Sequence, residues 1–274
     1  MEEESFFDQL FLNYAISKFI DKASQKNYYT IRLTLSSCEE GSMERLQEFL
    51  KLNLINGFVI MHRQFDARIH EYMTELGIPH VYLLHCSRTS YEVLNVIDSN
   101  NYVGGYLGTQ HLINNGHKNI LTLTSTWREF EDRTKGYRQA LQENGIAVNE
   151  NFILSCECKY QSAYQTVQDN IHLFRKATAI YVQSDIMAVG VVNALLQHEF
   201  HIPDDISIVS SDGYALGKLV YPPLTSVAHP IDDLIDLTLS RLVLLITKTK
   251  VQSPQQTLLQ PYIVERESVK LLKP

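Results

Sequence analysis

The sequence predicts an α/β protein of two similar lobes, each a mostly parallel β-sheet flanked by helices. Three observations predict it. Short β-rich runs alternate with longer helical runs along the 274-residue chain, the rhythm of βαβ units. The alternation restarts near the middle, giving two sets of units of roughly 100–130 residues. The composition, 45% apolar and 20% charged, is that of a folded chain, and its length buries roughly 70–75% of the unfolded surface in one large core or two modest ones.

The elements follow in order. Phe7, Leu10, Phe11, Tyr14, Ala15, Ile16 and Phe19 recur at helical spacing and predict a helix over 6–22. The β-branched and aromatic run 27–35 predicts a strand. A helix over 43–51 and a strand over 57–61 come next. A helix over 69–76 stops at Gly77, Pro79 follows, and a strand runs over 80–84. The second set begins with a helix over 102–114 closed at Gly116, then a strand over 120–124 and a helix over 133–142 closed by Asn144 and Gly145. A strand-like region at Ile153, a helix over 164–174, a strand over 179–182 and a helix over 186–198 continue the pattern. Strands over 206–210 and 225–228, a long helix over 232–247 and a final strand over 260–265 complete it. A βαβ fold normally opens on a strand, and this chain opens on a helix, so the first strand of lobe one is expected to be missing.

Charge and cysteine usage exclude several classes. Lys plus Arg is 24 and Asp plus Glu 31, a net charge of −7, which disfavours a free-standing nucleic-acid binder. Four cysteines are no disulfide framework, and the pair Cys156 and Cys158 is too closely spaced for a tetrahedral zinc site. Reduced cysteines, no cationic and apolar leader after Met1, and no apolar run of about 18 residues predict a cytoplasmic protein without a membrane span. No serine nucleophile elbow, zinc-protease helix or redox thiol motif occurs, so no enzyme activity, catalytic residue, metal or cofactor is expected. The ten histidines are scattered; His62, His70 and His80 have no ligand spacing. Gly104, Gly105 and Gly108 do not match a phosphate-cradling loop and are better read as small residues that let a helix approach a neighbour closely.

In open α/β sheets ligands bind where loops leave the C-terminal ends of strands. Three loops qualify: 125–133, with Trp127, Phe130 and Arg133; 183–185, with Ser184 and Asp185; and 210–214, with Asp212 and Tyr214. Together they offer aromatic surface, a guanidinium fork, hydroxyls and carboxylates, the set that suits a sugar. Asp185 suits equally the capping of the next helix, and Arg133 a surface ion pair.

These pieces, in their order, resemble the effector-binding core of the lactose/galactose-repressor family of bacterial transcription regulators, which has the type I periplasmic-binding-protein-like fold. The matching segments are 98–105, 111–120, 133–141, Gly145 with Ile146, Ala179 with Ile180, 184–190, 202–209, Asp212, 222–227 and 264–268, so the likeness covers almost the whole chain. It implies a sugar-responsive repressor core that forms a homodimer, binds a small-molecule effector by closure of two lobes, and reaches operator DNA only through a helix-turn-helix headpiece that these residues do not contain. It implies lobes of 1–98 with 231–258 and 99–230 with 259–274. Arg133 matches the arginine that grips effector hydroxyls, Ser184 a position that bonds the sugar, Asp185 the aspartate beside it, and Asp212 the first acidic residue after its strand. Phe6 and Phe7 match an aromatic segment that enters the cleft. Gly213 stands where several members have a ligand-contacting Asp or Asn, leaving Trp127, Phe130 and Tyr214 as the stacking surface. Two other readings remain: a solute-binding protein of a sugar transport system, and a degenerate interaction module that binds neither ligand nor DNA.

Overall fold

The structure, a computed structural model, describes residues 10–35, 41–61, 67–84, 95–214, 216–247 and 255–272. The chain divides into two compact units. One is made of Leu12–Ser99 and Ile231–Leu259; the other comprises the residues up to Phe11 with Asn100–Pro230 and Gln260–Pro274. Both are α/β, as the alternating pattern predicts.

The first, N-terminal unit contains most of α1 (Leu10–Gln25), then α2 (Ser42–Lys51), β1 (Phe58–Ile60), α3 (Ala67–Glu75), β2 (His80–Leu83), β3 (Val96–Ser99), α8 (Ile231–Ile246) and β9 (Gln256–Leu259). Its sheet has the order β1-β2-β3-β9, parallel throughout. Among the described residues no strand precedes β1. The run 27–35, expected as a strand, forms none: residues 28–35 have no regular secondary structure. Its β propensity has no neighbouring strand to act on, and Tyr29 is fully exposed at 102%; that propensity expresses packing against cross-strand neighbours rather than a backbone preference. Conversely, β3 and β9 were not expected. Both are short and half polar, VIDS and QTLL, so no apolar run marks them.

The C-terminal unit contains α4 (Asn101–Asn114), β4 (Ile120–Thr124), α5 (Arg128–Glu143), β5 (Ile153–Ser155), α6 (Tyr160–Phe174), β6 (Ala179–Val182), α7 (Asp185–Gln197), β7 (Ser207–Asp212), β8 (Thr225–Ala228) and β10 (Tyr262–Val264). The sheet order is β10-β8-β7-β6-β4-β5, with β10 the antiparallel member. The final strand is shorter than expected because Pro261, lacking an N–H, does not join a ladder. β4, β6, β7 and β8 are buried at every residue, as strands covered by helices on both faces must be. Alternation sorts their side chains. Leu121, Leu123, Ile180, Val182 and Ile208 enter one core with α6 and α7. Ile120, Tyr181, Val209 and Val227 enter the other, with Leu112 of α4 and Tyr137 of α5.

α4 and α5 meet backbone to backbone. A Cβ built on Gly105 would lie 1.9 Å from the Arg133 carbonyl oxygen, and one on Gly136 would lie 2.0 Å from that of Tyr102. Only glycine fits at either place. This contact fixes where α5 carries Arg133.

Among the described residues no helix is long and apolar enough to cross a membrane. Cys156 and Cys158 are free thiols; Cys38 and Cys86 lie outside the described residues.

Candidate functional site

β4 lies between β5 and β6: the chain passes from β4 to β5 on one side, then crosses back to β6 on the other. Such a reversal opens a crevice at the C-terminal strand ends. The loops after β4, β6 and β7 all leave from this edge of the C-terminal unit.

Arg133 organises the site. It sits in the second turn of α5 and is 5% exposed. Its Nε donates to Asn101 Oδ1 at 3.0 Å, and one terminal nitrogen donates to the Gln183 carbonyl. The other terminal nitrogen is 3.3 Å from His229 Nε2. A guanidinium can only donate, so His229 Nε2 accepts and its proton sits on Nδ1, a tautomer assigned from the hydrogen-bond network. That buried Nδ1 has no hydrogen-bond partner among the described residues. Burial, followed by the Arg133 charge, holds His229 at about 3, well below the usual histidine value. The Phe130 ring lies 5.3 Å from Arg133 Cζ, a cation–π contact. Phe130 is 2% exposed and part of the core; it braces the guanidinium and presents no free face.

Asp212 faces Arg133, with Oδ1 3.9 Å from a terminal nitrogen. Its Oδ2 accepts from Ser184 Oγ at 3.1 Å and from the Asp185 backbone N–H at 3.0 Å. A carboxylate from a neighbouring strand thus caps α7, complementing the helix N-terminus. Asp185 is not the cap. It is the first residue of α7 and turns inward, its Oδ1 accepting from Ser210 Oγ at 2.6 Å and Ser226 Oγ at 3.3 Å. Burial, then the negative Asp212 nearby, pushes the Asp185 carboxyl well above the ordinary range.

The Asp212 backbone is in the left-handed region, φ 101°, and Gly213 follows at φ 72°. A Cβ on Gly213 would lie 2.4 Å from the Ala228 Cβ. The backbone is too close to β8 for any side chain, which explains why no Asp or Asn stands there.

Gln183 is fixed from below. Its Nε2 donates to Thr122 and Thr134 hydroxyls at 3.1 and 3.0 Å, and its Oε1 accepts from Thr124 at 3.0 Å. Nearby, the buried Ser125 hydroxyl has no partner among the described residues. An aromatic wall adjoins this cluster: the Phe11 ring lies 5.8 Å from Tyr214 and 5.3 Å from His229. Tyr214 and Trp127 are half-buried, and Trp127 packs against the core of the unit.

Four residues selected from sequence, Arg133, Ser184, Asp185 and Asp212, therefore meet in one hydrogen-bonded cluster. Phe7, like Phe6, lies outside the described residues. The sequence reading missed Asn101, His229 and Phe11, and named Gln183 only as part of a loop. Phe11 had a signal, since it falls one helical turn after Phe7 on the same face. His229 had none.

A family profile described as periplasmic binding protein-like domain matches residues 109–269, more than half of the chain. The chain belongs to that family. The HTH-type transcriptional repressor PurR of Vibrio campbellii is 28% identical over 250 residues, which cover 87% of this chain and 73% of the relative. The ribose operon repressor of Haemophilus influenzae is 28% identical over 263 residues, covering 93% and 76%. The solved transcription regulator CcpA of Lactococcus lactis superposes with a TM-score of 0.80 at 26% identity, over 95% of each chain. Within the periplasmic binding protein-like family the chain is thus of the lactose/galactose-repressor type, and it forms the effector-binding core of a transcription regulator.

Proposed function

We propose that the C-terminal unit senses a neutral, hydroxyl-rich small molecule, a sugar or close analogue, and that the chain is the sensing and dimerisation core of a cytoplasmic repressor. Operator contacts then belong to a headpiece outside these residues, and the segments 1–98 with 231–258 and 99–230 with 259–274 act as its lobes. One observation carries the ligand class: the charges of the Arg133 cluster already balance. The guanidinium faces the Asp212 carboxylate, His229 is held neutral, and burial favours the neutral form of Asp185. No uncompensated cation remains to offset the desolvation of an anionic ligand. Oriented donors beside the Phe11 and Tyr214 rings suit hydroxyls on one side and a C–H face on the other. The name of the Haemophilus influenzae ribose operon repressor makes pentoses the first probes.

The second reading, an interaction module without a ligand, is favoured by Gly213 and by a guanidinium already bonded to protein atoms. Calorimetry with mono- and disaccharides and their phosphorylated forms separates the two. A neutral sugar should bind, and Arg133→Ala should abolish binding while circular dichroism shows a folded chain. Tyr214→Ala should weaken binding without touching the buried cluster. Heat from no sugar, or equal affinity in the Arg133 variant, would refute the sensor reading; preference for a phosphorylated sugar would refute the neutral-ligand reading.

A further inference from the structure

The N-terminal unit contains a cluster that effector sensing does not use. His70 is on α3; His80 and Tyr82 are alternate residues of β2, so these two side chains share a face of the strand. The short α3–β2 connection folds them together. His80 Nε2 lies 3.1 Å from His70 Nδ1, and the Tyr82 hydroxyl lies 3.1 Å from the same Nδ1.

We infer that His70 and His80, with Tyr82 beside them, form a binding site for one first-row divalent transition-metal ion of the zinc or nickel type. The orientation of His80 is the first support. Its Nδ1 is 2.8 Å from the Ile78 carbonyl; a carbonyl only accepts, so the proton is on Nδ1 and Nε2 turns its lone pair toward His70. A backbone carbonyl holding the far nitrogen is the arrangement that fixes metal-binding imidazoles. The spacing is the second. Two imidazole nitrogens 3.1 Å apart, each about 2.05 Å from an ion, subtend about 98° there, between octahedral and tetrahedral angles. Without metal, His70 Nδ1–H donates to His80 Nε2. A bound ion requires His70 to carry its proton on Nε2, with the Nδ1 lone pair turned to the metal. Tyr82 supplies a weaker oxygen. Among the described residues no group of three His, Cys, Asp or Glu side chains is placed to hold a metal, which makes this an exchangeable site rather than a closed structural one.

Zinc chloride titrated calorimetrically into chelator-stripped chain near neutral pH tests it. One ion per chain should bind, and His70→Ala and His80→Ala should each weaken binding by about tenfold or more. His111→Ala, in the other unit, should leave it unchanged. Should either alanine variant lose its circular dichroism, histidine NMR of the unaltered chain decides: zinc should shift the His70 and His80 ring signals first. Absence of heat, binding unaltered in both folded variants, or first shifts at other histidines would overturn the site.

Discussion

Both units are layered α/β structures, and they differ in how fully their strands are covered. In the C-terminal unit four strands are buried at every residue. In the N-terminal unit only β3 is buried at every residue and β2 at three of four; the edge strands β1 and β9 are partly exposed, as are the C-terminal unit's edges β5 and β10. The Arg133 cluster belongs to the C-terminal unit, whose four fully buried strands hold charges in fixed, desolvated positions. In the other unit a surface ion-pair cluster joins two helices: Lys22 of α1 reaches Asp236 of α8 at 2.5 Å, with Lys26 3.1 Å from the same carboxylate. Coverage therefore sets how sharply a substitution is felt. The single tryptophan, Trp127, reports on the C-terminal unit by fluorescence.

The largest test is Asp212→Ala, which uncaps α7 and leaves Arg133 without its buried counter-charge. It should cost about 3–5 kcal/mol in urea unfolding followed by Trp127 emission; a cost below 1 would break the contrast. Gly136→Ala should cost about 3 kcal/mol, because the new methyl group meets the Tyr102 carbonyl. A third test uses pH. Unfolded histidine takes a proton below about 6.5, whereas folded His229 resists it down to about 3. The stability contribution of His229 is thus complete above 6.5 and is lost as pH falls toward 3, by about 2 kcal/mol at pH 5. His229→Gln should flatten this part of the profile, and an unchanged slope would place His229 in a wetter site. In the N-terminal unit Lys22→Met should cost at most about 1 kcal/mol, and less at high salt. Smallest of all, Tyr29→Ser should change stability by less than about 0.5 kcal/mol. A cost above 1.5 would mean that the run 28–35 packs as a strand after all.

The same contrast explains what was legible in the sequence. Elements of the C-terminal unit announce themselves through long helices and glycine stops such as Gly116 and Gly145. Their buried strands stand out as apolar runs. β3 and β9 do not, because each pairs two apolar residues with two polar ones and forms no apolar run. The run 27–35 misleads because propensity says nothing about whether a neighbour exists. Within the site, loop position and chemistry were enough to select Arg133 and Asp212. The partners that hold them were hidden for a different reason. Asn101, Gln183 and His229 contact Arg133 across 32, 50 and 96 residues of chain. No local pattern encodes such separations. Nor does spacing reveal that His70 and His80 face each other, since only the turn of α3 into β2 brings them together.

The internal bonding of Arg133 has a consequence for how effector preference can change. The guanidinium, Asp212 and Gly213 are each fixed by several neighbours; replacing Asp212 disturbs the capping of α7, and replacing Gly213 disturbs the approach to β8. They form an inner layer held in place by the fold itself. Phe11, Trp127 and Tyr214 are half-buried and can vary at lower structural cost. New specificities should therefore arise by exchanging this aromatic rim around an unchanging polar centre, and a selection for altered ligand response should recover its substitutions there.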